Sequence, residues 1–533
     1  MSWYNNSVFY QVYLRAFRDG DGNGHGDFLG LREKADYLEW LGIDCVWLMP
    51  TYPSPLKDDG YDIASFYGIH PDFGLLEDFR MTVQDLHRRG IKIITDLVVN
   101  HTSDQHPWFV DARRSKDSPF RNFYVWNETD DRFQETRIIF LDTEESNWAY
   151  DERTGEYYWH RFYSSQPDLN YDNPKVQQAM LDIMKFWLDL GIDGFRVDAV
   201  PYLFERDGTN NENLPETHDY LKRMRAMVDA NYPNALLLAE ANQWAHDLLP
   251  YFGDSDEFQM CFHFPVMPRL YMALAKKDRT SIIDVLNNTP PIPKGTQWAT
   301  FLRNHDELTL EMVTEEERQF MWAHYSPDPK ARINLGIRRR LAPLMGNDRH
   351  KIELMNSMLF TLPGTPVLYY GDEIGMGDNI TLFDRNGVRT PMQWDDSNHG
   401  GFSDARIESL YAPPISDPEY GYKHVNVKAA RENPDAMIHT IRRMIHTYKQ
   451  QDALANGELH WVENCPVHVL MFWRNSINGR FLAIHNLSDE LTKVQLPAVA
   501  NVYRDVLRPD YEPMSGTITL NPYDYYWLVP EMG

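Results

Sequence analysis

Gly194-Phe195-Arg196-Val197-Asp198 reads as a short buried strand that ends on a carboxylate, with an arginine two residues before it. Alternation along a strand puts Arg196 and Asp198 on one face. A cation held there keeps the aspartate ionised at neutral pH, which gives Asp198 the chemistry of a nucleophile. Two further acids leave similar runs: Glu240 after Leu236-Leu237-Leu238-Ala239, and Asp306 after Phe301-Leu302-Arg303-Asn304-His305. No cation lies near Glu240 in the sequence, and burial there raises a carboxyl's pKa, which suits a general acid/base. Any one of these acids alone is as readily a salt-bridged or capping group. Three at strand ends point to an active site.

A fourth apolar run, from Ile91 to Val99, delivers Asn100 and His101. Together, and in this order, the four segments resemble the strand-end motifs of the α-amylase family of glycoside hydrolases. The resemblance implies glycosidic-bond cleavage with retention. Asp198 is then the nucleophile, Glu240 the acid and then the base about 5–5.5 Å away, and Asp306 the carboxylate that grips sugar hydroxyls. It further implies substrate contacts from His101, Gln105, Arg196 and His305. Asn242, two residues after Glu240 and so on the same side of that strand, is the candidate for holding the freed glucose, the bland alternative being a loop cap. Asp58 and Tyr61, in Lys57-Asp58-Asp59-Gly60-Tyr61-Asp62, are similar to the acid and stacking tyrosine of the same sugar site. Arg389, in Arg385-Asn386-Gly387-Val388-Arg389-Thr390-Pro391, is similar to the arginine that pairs with that acid and closes the non-reducing end. A pocket closed there takes a terminal glucose and threads no chain.

Within the family, Ser103 to Phe109, Asp198 to Leu203, Glu240 to Trp244, Phe301 to Leu310 and Gly371 to Asn379 resemble members that interconvert maltose and trehalose. The implied activity is intramolecular glucosyl transfer by double displacement, with minor hydrolysis to glucose. A hydrolytic α-glucosidase acting on short α-glucosides would carry the same three acids. A non-catalytic carbohydrate-binding relative is disfavoured because all three are present.

Asp19-Gly20-Asp21-Gly22-Asn23-Gly24-His25-Gly26-Asp27 sets oxygen ligands at every second position with glycines between, the spacing of a loop that wraps a hard cation. A solvated turn of Asp and Gly is the bland alternative. Similarity to the family's metal loop favours Ca²⁺ or Mg²⁺, with His25 contributing its backbone carbonyl. The resemblance implies a second cation at Asn100, Asp168 and Glu205 with the carbonyls of Tyr202 and Leu203. No organic cofactor is expected.

These residues need elements to position them. Short apolar runs alternate with helical patterns, and eight strands are countable: Val8–Val12, Cys45–Leu48, the run ending at Asn100, Gly194–Asp198, Leu236–Glu240, Met260–Phe264, Trp298–Leu302 and Pro366–Tyr370. Eight parallel strands with crossover helices imply a closed α/β (β/α)8 TIM barrel, whose catalytic groups sit at the carboxyl ends of the strands. The expected barrel comprises residues 1–105 and 168–450. An inserted subdomain after the third strand occupies 106–167, and a second insertion or lid after the seventh occupies 308–352. A C-terminal all-β sandwich occupies 451–533.

The bulk numbers agree with a neutral substrate. The net charge of −26 argues against nucleic acid or an anionic membrane as partner. The expected partners are the small sugars maltose and trehalose and a second copy of the chain in a homodimer. Cys45, Cys261 and Cys465 are few and far apart, as for buried thiols in a reducing compartment, and the first six residues lack the basic and apolar regions of a signal peptide. A cytoplasmic location is therefore expected.

Overall fold

The computed structural model describes residues 2–531; Met1 and the last two residues of the C-terminal module lie outside it. Eight parallel strands close into a barrel: β1 Phe9–Val12, β2 Cys45–Leu48, β3 Lys92–Val98, β4 Gly194–Asp198, β5 Leu236–Ala239, β6 Met260–Phe262, β7 Gln297–Phe301 and β8 Thr365–Tyr369. Strand β8 pairs back onto β1, with Phe9 opposite Val367, so the sheet has no edge. The expected strands are all present, shifted by a residue or two at their ends.

Local sequence explains the crossovers. The helix Pro174–Asp189 starts from Asn173, whose side chain accepts from the Lys175 amide, and Pro174 supplies a preset φ at its first position. The helix Ala35–Leu41 stops at Gly42 in the left-handed region. Gly194 opens β4 at φ 147°, where an added Cβ would lie 2.1 Å from the Leu236 carbonyl oxygen. A side chain there would push β5 away from β4, the two strands that carry the paired acids.

Three excursions rise from the carboxyl ends of the strands. The first, after β3, holds the helix Pro107–Ala112 and a three-stranded antiparallel sheet (Trp126–Asn127, Trp148–Asp151, Glu156–Trp159) over its own cluster of Phe133, Trp148 and Trp159. The second, after β7, holds a small sheet (Leu308–Thr309, Arg332–Ile333, Gly336–Ile337) and the helix Glu315–Tyr325. It is shorter than expected, because the helix Arg349–Thr361, which begins inside the 308–352 range, is a crossover leading to β8. The third, missed in the sequence, is the long and largely irregular segment between β8 and the helix Met437–Gln450. It lacks a periodic pattern, so no strand or helix signal marks it.

The C-terminal module is a five-stranded antiparallel sheet with a two-stranded ribbon, Thr492–Gln495 and Thr517–Leu520, and the two share one apolar cluster. It is fastened to the barrel through Trp527 Nε1 donating to Ser357 Oγ at 2.7 Å and Arg474 donating to the Thr361 carbonyl at 2.8 Å. All three cysteines are free thiols, Cys45 and Cys261 buried and Cys465 only partly so. Among the described residues no helix is long and apolar enough to cross a membrane.

Candidate active site

A cavity opens at the carboxyl ends of the barrel strands, and Asp198, Glu240 and Asp306 all line it. Register brings the first two together: Val197 of β4 pairs with Ala239 of β5, so the residues that follow, Asp198 and Glu240, lie side by side. Immediately after Asp198 the chain turns through Ala199 at φ 53°, a left-handed position costly for a residue with a Cβ. That turn directs the Ala199 N–H towards Glu240 Oε2 at 3.3 Å.

Beneath the acids lies a charged layer that alternation only half revealed. Arg196 is 1% exposed and contacts Asp198 Oδ1 at 2.6 Å, and its guanidinium also meets Asp96 and Glu240. Asp96, in register with Arg196 on β3, accepts from Trp47 Nε1 at 2.8 Å. Glu240, which has no cation near it in sequence, is thus given one by the neighbouring strand. One guanidinium serves three carboxylates, two buried and Glu240 partly so, which cannot all ionise cheaply.

Burial is the main force on both catalytic candidates. It raises Glu240 to about 8, helped by the negative charges of Asp198 and Asp306 and opposed by Arg196. It raises Asp198 to about 6, opposed mainly by Arg196. The two carboxyls, side by side on adjacent strands, also share Arg196. Near neutral pH the proton therefore resides on Glu240 and the negative charge on Asp198, the division of labour a retaining pair requires. Burial also works against ionisation of Asp306, but His305, Arg385 and Arg389 outweigh it and hold that carboxyl well below the usual range.

Asp58, Tyr61 and His101 line the cavity as expected. His101 Nδ1 faces Asn100 Nδ2 at 3.3 Å, while its buried Nε2 has no partner. Burial lowers its pKa to about 3, so the ring is neutral, and with Nδ1 facing the Asn100 amide its unpartnered Nε2 carries the proton.

Four expectations are corrected. Arg389 does not pair with Asp58; it binds Asp59 at 2.6 Å and Asp306 at 3.0 Å, and the partner of Asp58 is Arg385 at 2.8 Å. The two arginines flank one short turn, Asn386–Val388, and spacing alone cannot say which reaches the acid. Gln105 is exposed and off the cavity wall; the glutamine at the site is Gln166, whose amide donates to Asp58 Oδ2 at 2.9 Å. His305 stands behind the wall with both ring nitrogens engaged, Nε2 with the Tyr61 hydroxyl and Nδ1 with Gln11, each at 2.7 Å. Arg196 likewise lies under the acids and not on the cavity surface.

The roof was not legible in the sequence. Ile139, Phe140 and Phe162 come from the first insertion, Glu307, Thr309 and Glu311 from the second, and Arg385 from the third excursion. The insertions meet above the acids: Arg137 bridges Glu212 at 2.7 Å and Glu311 at 2.8 Å, and the Asn334 amide donates to Asp142 at 2.7 Å. Asn242 donates to Thr309 Oγ1 at 3.2 Å, tying the loop after β5 to the second insertion, and its buried Oδ1 has no partner. Glu307 was findable as the acid beside Asp306. The aromatic roof carried no signal, because its residues look like any core.

Both suggested cation sites have suitable donors. Carboxylate oxygens of Asp19, Asp21 and Asp27 lie within 4.8 Å of one another. Asp27 also caps the helix Phe28–Glu33 by accepting from Gly30. Asn23 Oδ1 accepts the His25 amide at 2.8 Å, and the His25 ring takes Arg15 Nε at 3.1 Å. At the second site Asn100 Oδ1, Asp168 Oδ2 and Glu205 Oε1 are all buried without a hydrogen-bond partner. Burial pushes Asp168 up to about 8, and burial with the charge of Asp168 pushes Glu205 well up too. Orphaned buried oxygens of this kind fit a hard cation.

The model of the family "Alpha amylase, catalytic domain" matches residues 11–325 and 338–457. Trehalose synthase of Pimelobacter sp. (strain R48) is 51% identical over 99% of this chain and 95% of its own length. Trehalose synthase/amylase TreS of Mycolicibacterium smegmatis is 56% identical over 89% of this chain and 80% of its own. Among solved structures, the inactive double mutant of MutB with isomaltulose superposes with a TM-score of 0.81 at 27% identity, covering 99% of this chain and all of that one.

Proposed function

The chain belongs to the α-amylase family of glycoside hydrolases, and from that membership and its roofed cavity we propose that it interconverts maltose and trehalose by intramolecular glucosyl transfer. Asp198 attacks the anomeric carbon of the terminal glucose while Glu240 protonates the departing oxygen. Asp306, Asp58, Tyr61 and His101 hold that glucose, and the Arg385–Asp58 pair closes its far end. The freed glucose turns and attacks through its anomeric hydroxyl, with Glu240 now the base. Minor hydrolysis follows whenever water attacks instead.

One observation carries the choice of isomerisation over hydrolysis: the two insertions meet over the acids through Arg137 and Glu311, joined below by Asn242 and Thr309. A covered site holds the glucose and excludes competing water. Maltose labelled only in its reducing glucose should therefore yield trehalose that keeps the label in a large excess of unlabelled glucose. Asn242→Ala should raise glucose formation relative to trehalose several-fold while first cleavage persists. Label dilution to the bulk ratio in the wild type would overturn the enclosed transfer and favour a hydrolytic α-glucosidase.

We propose a structural Ca²⁺, or Mg²⁺ in its place, which Asp19, Asp21, Asn23, Asp27 and the His25 carbonyl would hold. Asn100, Asp168, Glu205 and the carbonyls of Tyr202 and Leu203 would hold a second. Bound cations relieve the repulsion among buried carboxylates, so they act on stability and not on chemistry. Chelation should lower the melting temperature of the wild type by about 5 °C, and that of Asp21→Ala by less. Metal analysis of purified protein that finds no stoichiometric divalent ion would sink both sites. We also propose a cytoplasmic location, which the three free thiols support, and a homodimeric assembly.

A further inference from the structure

On the outer side of the loop that carries Asn242, a second groove is lined by Trp244, His246, Arg269, Ser281, Asp284 and Asn288, and the geometry points to a non-catalytic binding site for an α-linked glucose oligosaccharide. Asn242 faces the catalytic cavity and Gln243 is buried against Glu212 at 2.9 Å, whereas Trp244 turns outward, 38% exposed. Its indole N–H has no partner among the described residues. The indole is rigidly backed: the Arg269 guanidinium carbon lies 5.7 Å from the ring centroid and is fixed by the Pro265 carbonyl at 2.9 Å and the Met312 carbonyl at 2.7 Å. A supported aromatic surface left open to solvent is what the C–H face of a pyranose stacks on.

The polar groups complete the recognition. Asp284 and Asn288 stand one turn apart near the exposed end of the helix Thr280–Asn287; the Asn288 amide donates to the Asp284 carbonyl at 2.9 Å, which fixes it beside the carboxylate with its oxygen and second N–H left for the groove. Such planar groups accept and donate to vicinal hydroxyls. The groove is weakly acidic, since Arg269 is offset by Glu317 at 3.4 Å and Asp284 adds a second acid, which suits a neutral ligand better than an anion. The site goes beyond the proposed isomerisation, and because the catalytic cavity can take the terminal glucose of an oligosaccharide, excess maltose is added to fill it so that maltoheptaose reports on the groove.

The test is titration of Asp198→Asn, in the full chain, with maltoheptaose, followed by calorimetry and tryptophan fluorescence. Binding is expected, and adding Trp244→Ala should weaken it at least about tenfold. Asp284→Ala and Asn288→Ala, on an exposed helix face, should weaken it too without disturbing the fold. In the otherwise wild-type enzyme Trp244→Ala should leave maltose turnover unchanged. No binding of maltoheptaose, or binding that all three substitutions leave intact, overturns the site. Residual turnover by Asp198→Asn would instead count against the proposed catalytic role, so the two failures are distinguishable.

Discussion

Asp198→Asn is expected to abolish formation of trehalose and glucose from maltose, with a loss on the order of 10⁴-fold or more, about 5 kcal/mol of transition-state stabilisation. The carboxamide keeps the shape of the side chain but cannot form the glycosyl ester. The fold should survive, because Arg196 retains Asp96 and Glu240 as partners and is not left as an unpaired buried charge. An unchanged melting curve together with lost turnover is the expected result. A verified variant with appreciable activity would remove Asp198 from the nucleophile's role.

Glu240→Gln should cost on the order of 10³-fold on maltose, whose leaving sugar needs a proton, yet leave the first-turnover release of fluoride from α-glucosyl fluoride nearly intact. Fluoride departs with little acid assistance. The pH profile gives an independent readout. With Asp198 raised to about 6 and Glu240 to about 8, kcat/KM on maltose should climb as Asp198 ionises through pH 6 and fall as Glu240 loses its proton through pH 8. The two limbs belong to the coupled pair and not to either residue alone. On the fluoride the alkaline limb should vanish, because that limb reports an acid the substrate no longer needs. A folded variant equally inactive on both substrates would exclude Glu240 as the acid.

The legible parts share a cause. Strand identity depends on local apolar runs, and acids placed just after such runs must emerge at the barrel's carboxyl end, so Asp198, Glu240 and Asp306 were readable together with the (β/α)8 architecture. The proposed cation loop from Asp19 to Asp27 could be singled out because its donors alternate with glycine, whereas the proposed second site came only from the family resemblance. Choices between neighbours were not readable. Arg385 and Arg389 are separated by one short turn, and only the packed loop sets the first against Asp58 and the second against Asp59.

The sequence by itself determined the barrel, its order of motifs and the three acids, since each rests on residues close in the chain whose periodicity and side-chain chemistry act locally. Tertiary structure alone decided how Arg196 is shared and what forms the roof. Arg196 reaches Glu240 only because β4 and β5 lie in register, and it opposes without overcoming the burial that leaves the proton on Glu240. Arg137 and Glu311 are 174 residues apart, yet their contact joins the two insertions over the cavity. Pairings at that separation depend on how independently folded segments pack, and no local pattern encodes them.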